Sequence, residues 1–114
     1  QYALFFPDRH PIAGGKRLDF TTLSQITFEV PDMETFAGLK LAYQVGNAGG
    51  NMPTVFNAAN EVAVAAFLNR RIGYLDIFDM IEDACNKIEY IANPDVEQIL
   101  ETQRKVMEVL REDF

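Results

Sequence analysis

Met52-Pro-Thr-Val-Phe-Asn-Ala-Ala-Asn-Glu-Val-Ala-Val-Ala-Ala-Phe-Leu68 is the stretch on which the fold turns. Val55, Ala59, Val62 and Ala66 recur at the spacing of one helical stripe, and Phe56, Ala63 and Phe67 fill the stripe beside it. Val64 and Leu68 make the remaining side apolar too. A helix apolar nearly all round is expected inside a fold, with neighbours on several sides. Its alanines let those neighbours come close, and the two Phe rings fill the gaps. Asn51 stands at the expected N-cap, with Pro53 in the first turn.

One polar patch interrupts this helix. Asn57, Asn60 and Glu61 lie at i, i+3 and i+4, so they share a face. If buried, each needs a partner, since an unpaired buried polar group costs about 1–3 kcal/mol. Two readings stay open: the three cap loops or helix ends within this fold, or they face another domain or subunit.

The outer limits come from size and charge. A chain of 114 residues holds one domain and an arm, with a small core. Hydrophobic residues at 48% and charged residues at 24% are ordinary for a globular chain. The net charge is −7, from 17 acidic and 10 basic side chains, and no basic block exists, which argues against nucleic acid as a partner. No uncharged apolar run approaches the ~18–20 residues that span a membrane, and the first residues do not form a signal peptide. The chain opens on Gln1 inside Tyr2-Ala-Leu-Phe-Phe6 with no N-cap ahead, so it is expected to be a piece cut from a longer protein. A single cysteine, Cys85, leaves no internal disulfide and suits a reducing compartment.

Around the central stretch the chain divides into an arm and a bundle. Gln1 to Arg9 reads as the tail of a helix stopped by Pro7, and His10-Pro-Ile-Ala-Gly-Gly15 as a loop with His10 exposed. Asp19-Phe-Thr-Thr22 is an expected turn. Ile26, Phe28 and Val30 alternate with Gln25, Thr27 and Glu29, which predicts one strand that must pair outside this chain. Pro31-Asp32 ends it and supplies a cap; a helix follows from about Ala37 and stops at Gly46 to Gly50, glycines suited to left-handed positions. After the central helix, a third is expected from about Leu75 to Ile91, with Cys85 on its apolar stripe as a core residue and Asp76 and Asp79 at its positive end. Asp95 with Gln98 resembles a capping box opening the last helix, whose Glu101 and Lys105 form an attractive pair on its solvated side. Short loops between these four predict a mainly α fold: a small up-and-down four-helix bundle preceded by an extended linker arm with one strand.

Catalytic patterns are missing. Gly46, Gly49 and Gly50 follow a helix, not a strand, so they are poorly placed to cradle a phosphate. With His10 the only histidine, Ser/His and Cys/His pairs, His/Cys metal clusters and Glu-x-x-His di-metal sites find no support. By residues alone the chain is an acidic helical bundle whose arm needs a partner.

Asn57-Ala-Ala-Asn-Glu-Val-Ala-Val-Ala-Ala-Phe-Leu68, with Leu18-Asp-Phe20, Thr27-Phe-Glu-Val-Pro-Asp32, Gly38-Leu-Lys-Leu-Ala42 and Ala48-Gly-Gly50, resembles the 1-deoxy-D-xylulose 5-phosphate reductoisomerases. The likeness spans essentially the whole chain, yet only the C-terminal portion of such an enzyme. It implies an oxidoreductase of non-mevalonate isoprenoid biosynthesis that forms 2-C-methyl-D-erythritol 4-phosphate with NADPH and Mg²⁺ or Mn²⁺, as a cytoplasmic homodimer. It further implies that residues 1–9 end a catalytic-domain helix, 10–35 form a linker arm and 36–114 a C-terminal helical bundle domain. No catalytic, cofactor-binding or metal-binding role carries onto any position here, since those family residues lie upstream of Gln1. The fragment alone is therefore expected to be inactive, with missing catalytic and NADPH-binding domains as partners and Asn57, Asn60 and Glu61 as candidate inter-domain contacts. The alternative is a free-standing acidic helical interaction module.

Overall fold

A computed structural model describes residues 1–111, which form five helices: α1 (Tyr2–Phe5), α2 (Ala37–Ala48), α3 (Met52–Leu68), α4 (Asp76–Lys87) and α5 (Val96–Arg111). They divide into two compact units, Gln1–Val30 and Pro31–Phe114.

The first unit holds only one short helix. In it the Tyr2 and Phe6 rings meet edge-on at 5.8 Å, and the Arg9 guanidinium lies 4.4 Å above the Tyr2 ring. The expected turn forms: the Asp19 carboxylate accepts from the Thr21 N–H at 2.9 Å and the Thr21 hydroxyl at 2.7 Å. The expected strand does not. Ser24 to Val30 adopts no regular structure, and Ile26, Phe28 and Val30 are exposed. Alternation creates an apolar edge, but a strand exists only through hydrogen bonds to a neighbour. No neighbouring strand exists among the described residues.

In the second unit α3 is the organising element, because α2, α4 and α5 all touch it, while α2 and α5 do not meet among the described residues. Val55, Ala59 and Ala63 of α3 are wholly buried, and Val106 and Leu110 of α5 close over them with Leu41, Val45, Ile81 and Ala84. Burying Val55, Val106 and Leu110 contributes about 1.5–3 kcal/mol each. The neighbours expected on several sides of α3 are present, but they leave one side open: Asn57, Glu61, Ala65 and Leu68 are exposed. Three neighbours cannot surround a helix of this girth, so one side stays open.

Local capping follows the sequence in part. Asp32, expected to cap the next helix, instead accepts from the Glu34 and Thr35 N–H groups, both at 3.0 Å, in a turn before α2, whose own N-cap position is Phe36 with no side-chain bond. The Asp95 and Gln98 side chains bond each other's backbone N–H at 2.8 and 3.0 Å, a reciprocal capping box. Gly49 and Gly50 take positive φ of 64° and 59° after α2, whereas Gly46 lies inside the helix.

Two boundaries differ from expectation. α4 stops at Lys87, four residues before Ile91, and Ile88 is extended. Asn51 does not cap α3; its side chain makes no bond to that helix. The two departures have one cause, which lies in the contacts of Asn51.

Candidate functional site

The structure places Asn57 and Glu61 exposed and Asn60 half-buried on the open side of α3. None of the three side chains bonds another described residue, and no described buried side-chain polar atom lacks a partner. The reading in which they cap loops of this same fold therefore loses its support. They form a polar strip flanked by Val64 and Leu68 on an otherwise uncharged helix.

α2 shows a second unusual face. Leu41 and Val45 enter the core, yet Phe36, Leu39 and Tyr43 remain in solvent. Between Phe36 and Asn69 only Lys40 and Glu61 are charged, although the chain carries 17 acidic side chains. The α2 and α3 side of the bundle is thus depleted of charge, while α4 and α5 present Asp76, Asp79, Asp83, Glu97 and Glu108 to water.

The polar site that sequence reading missed is buried. Asn51 is fully enclosed. Its Nδ2 donates to the Glu89 carbonyl at 2.9 Å and to Thr102 Oγ1 at 3.3 Å, and its Oδ1 accepts from the Ile91 N–H at 2.9 Å. The Asn51 N–H in turn donates to the Ile91 carbonyl at 3.0 Å. Thr102, also buried, donates its own hydroxyl hydrogen bond to the Gln98 carbonyl at 2.7 Å. The amide thus takes over backbone groups at Glu89 and Ile91 that a longer α4 would have used within the helix. A Tyr90 hydroxyl bond to the Ala48 carbonyl at 3.0 Å adds to the clasp. The only hint in the sequence was Gly49-Gly50 ahead of Asn51, a backbone fit for close approach. A Cβ at Gly50 would collide with the Ile91 carbonyl and come within 2.7 Å of the Tyr90 ring.

Nothing in these arrangements makes a reactive group. Burial and then the Glu82 charge push the Cys85 thiol above its ordinary range, so it is less of a nucleophile than a free thiol. His10 sits in the first unit against the Phe5 ring, 4.7 Å between centroids. No group of three or more His, Cys, Asp or Glu residues among those described is placed to hold a metal ion. No helix of the described residues is long and apolar enough to cross a membrane. What the second unit offers chemically is surface: an amide-bearing face on α3 and an aromatic one on α2, held by a buried clasp.

Known proteins share this chain's sequence and shape. Residues 1–109 match the model of the DXP reductoisomerase C-terminal domain family. A 1-deoxy-D-xylulose 5-phosphate reductoisomerase of Lachnospira eligens is 60% identical over 110 residues, covering 96% of this chain and 29% of that protein. One from Clostridium novyi is 48% identical over 114 residues, covering 100% of this chain and 29% of its own length. Among solved structures, the reductoisomerase from Zymomonas mobilis in complex with NADPH superposes with a TM-score of 0.79 at 38% identity, over 97% of this chain and 29% of that one. The chain thus spans somewhat under a third of the length of the relatives it matches.

Proposed function

The chain belongs to the DXP reductoisomerase C-terminal domain family, and from that premise we propose that it is the C-terminal structural part of an NADPH-dependent reductoisomerase. The parent would convert 1-deoxy-D-xylulose 5-phosphate to 2-C-methyl-D-erythritol 4-phosphate in non-mevalonate isoprenoid biosynthesis. The observation that carries this reading is the family match across residues 1–109.

NADPH enters the proposal through the Zymomonas mobilis relative, which is in complex with it. Mg²⁺ or Mn²⁺ belongs to the same reading. The residues of this chain do not fit either group: the described ones hold no metal-ligand cluster, and the glycines after α2 do not follow a strand. Cofactor, metal and chemistry are therefore assigned to the rest of the parent, and no step is derived through them. In this reading residues 1–9 end a catalytic-domain helix, 10–35 are a linker and 36–114 the bundle. The parent is a cytoplasmic homodimer. The Ile26–Val30 segment, exposed and without backbone pairing here, adds to a sheet edge outside this chain, and Asn57, Asn60 and Glu61 contact the catalytic domain.

The test is spectrophotometric. The full-length protein is expected to oxidise NADPH when 1-deoxy-D-xylulose 5-phosphate and Mg²⁺ are added, and the 114-residue chain to match the blank. No oxidation by the full-length protein, or oxidation by the chain alone, would overturn the proposal.

A further inference from the structure

We propose that the groove between the C-terminal halves of α3 and α5 binds a small amphipathic carboxylate, one acid head with a short apolar tail. The site lies wholly within the second unit and does not depend on the enzyme reading. Its cavity measures about 290 Å³, near the lower end for small-molecule sites. Ala66, Met107 and Leu110 supply apolar lining from both helices, and the exposed Glu61, Arg71 and Arg111 bring charge to the same cavity. A largely apolar lining with a few charged groups is the ordinary build of such a site.

Charge chooses the occupant. Lys87 of α4 and Arg104 and Lys105 of α5 each pair with an acid of their own helix. Glu61, Arg71 and Arg111 share one cavity, yet no salt bridge joins them among the described residues. Two guanidinium groups against one carboxylate leave this spot positive on a chain of net charge −7. The carbonyls at the end of α3, which would repel an anion, are already engaged. Ala65 accepts from Asn69 Nδ2 at 2.8 Å, Phe67 from the Arg70 N–H at 2.8 Å and Ala66 from the Arg71 N–H at 2.9 Å. That closure holds Arg70 at a left-handed φ of 58°, a position glycine usually fills, and fixes the backbone of Arg71 at the groove. A guanidinium fork matches a carboxylate. A phosphate monoester, at about −1.5 to −2, would bring a second charge against Glu61.

Carbon-13 methyl NMR of methionine tests this with hexanoate as the probe, on the full-length protein and on the 114-residue chain. The Met107 signal is assigned with Met107→Leu. In both proteins it should shift and saturate, with a Kd below about 10 mM. Butanoate should bind about fourfold or more weaker, since each buried CH₂ is worth roughly that factor. Arg71→Gln should weaken hexanoate about two- to fivefold, the range for an exposed ion pair, and Glu61→Gln should tighten it. Hexylammonium should leave Met107 where it is. An equal shift with hexylammonium or hexanol overturns the proposal, because the groove would then read only the tail. Tighter binding of hexyl phosphate overturns the choice of head group, and an Arg71→Gln protein that binds as before removes the arginine. A shift in the 114-residue chain but not in the full-length protein also overturns it, since the groove is then covered by the rest of the parent or by a second subunit.

Discussion

Asn51 and Ile91, forty residues apart, hold each other by two hydrogen bonds: backbone N–H to backbone carbonyl at 3.0 Å, and backbone N–H to side-chain Oδ1 at 2.9 Å. The same amide also serves Glu89 and Thr102. A single buried side chain therefore ties the start of α3, the exit of α4 and the middle of α5. Asn51→Ala strands the Ile91 N–H and the Glu89 carbonyl, each costing about 1–3 kcal/mol when unpaired. The expected loss of stability is about 2–4 kcal/mol in urea unfolding, with the slope unchanged. Asn51→Asp should be no better, because a carboxylate cannot donate to Glu89 and is buried as a charge. A loss below about 0.5 kcal/mol, the size of an ordinary surface substitution, would show that the clasp is dispensable.

The glycines of α2 and its exit should separate cleanly. Gly50→Ala forces a side chain into a left-handed position and against the Ile91 carbonyl. A loss above about 1–2 kcal/mol is expected from the conformation alone, before the collision is counted. Gly46→Ala meets open space within a helix. In the isolated chain it should stabilise by about 0.5–1 kcal/mol. Thermal melts of the two variants side by side give the comparison, and equal signs would contradict the backbone argument.

Asp32 gives a pH dependence with a definite sign. Its carboxylate is held below the ordinary carboxylate range first by the Thr35 hydroxyl, then by the Thr35 and Glu34 backbone N–H groups. A depressed carboxylate stabilises the folded form fully above its unfolded pKa, near 3.9. That contribution is lost as pH falls through the lower folded value. Carbon-detected NMR titration should place the Asp32 midpoint below 3.8. Thr35→Val should raise it, and no movement would remove the hydroxyl as the leading cause.

Cys85 should be sluggish. Its thiol is pushed above 9.0 by burial and by Glu82, so little thiolate exists at pH 8. A disulfide reagent at that pH is expected to label the folded chain more slowly than the urea-unfolded chain. Glu82→Gln should speed the folded reaction modestly. Equal folded and unfolded rates would mean that the thiol is not sheltered in the α4 stripe.

How much was legible follows from distance along the chain. Capping by Asp95 with Gln98, and the turns at Asp19 and Asp32, involve partners two or three residues away, and local chemistry settles them. The helical stripes of α3 and α5 follow from spacing alone. The end of α4 does not, because Ile88 and Ile91 continue the apolar spacing while Asn51, distant in sequence, takes the backbone groups at Glu89 and Ile91. The Ile26–Val30 alternation predicted a strand that does not form among the described residues, because alternation supplies the side chains but not the backbone partner a strand needs. For the candidate site, spacing put Asn57, Asn60 and Glu61 on one face. It could not say that the face stays open, since an all-apolar helix does not reveal how many neighbours it will find.

Asn60 offers the sharpest test of that open face. It is half-buried, its side chain bonds no described residue, and it sits between the exposed Asn57 and Glu61. In the isolated chain Asn60→Leu should change stability by no more than about 0.5 kcal/mol, as for other partly exposed positions away from special features. In the full-length protein the same change should remove a polar contact at a domain boundary. There it should lower the melting temperature and slow turnover, because a displaced supporting domain disturbs substrate positioning. Comparing the variant in both settings isolates the inter-domain part. Identical, small effects in the two would mean that the α3 strip faces water in the intact protein, and the partner surface would then have to be sought on α2.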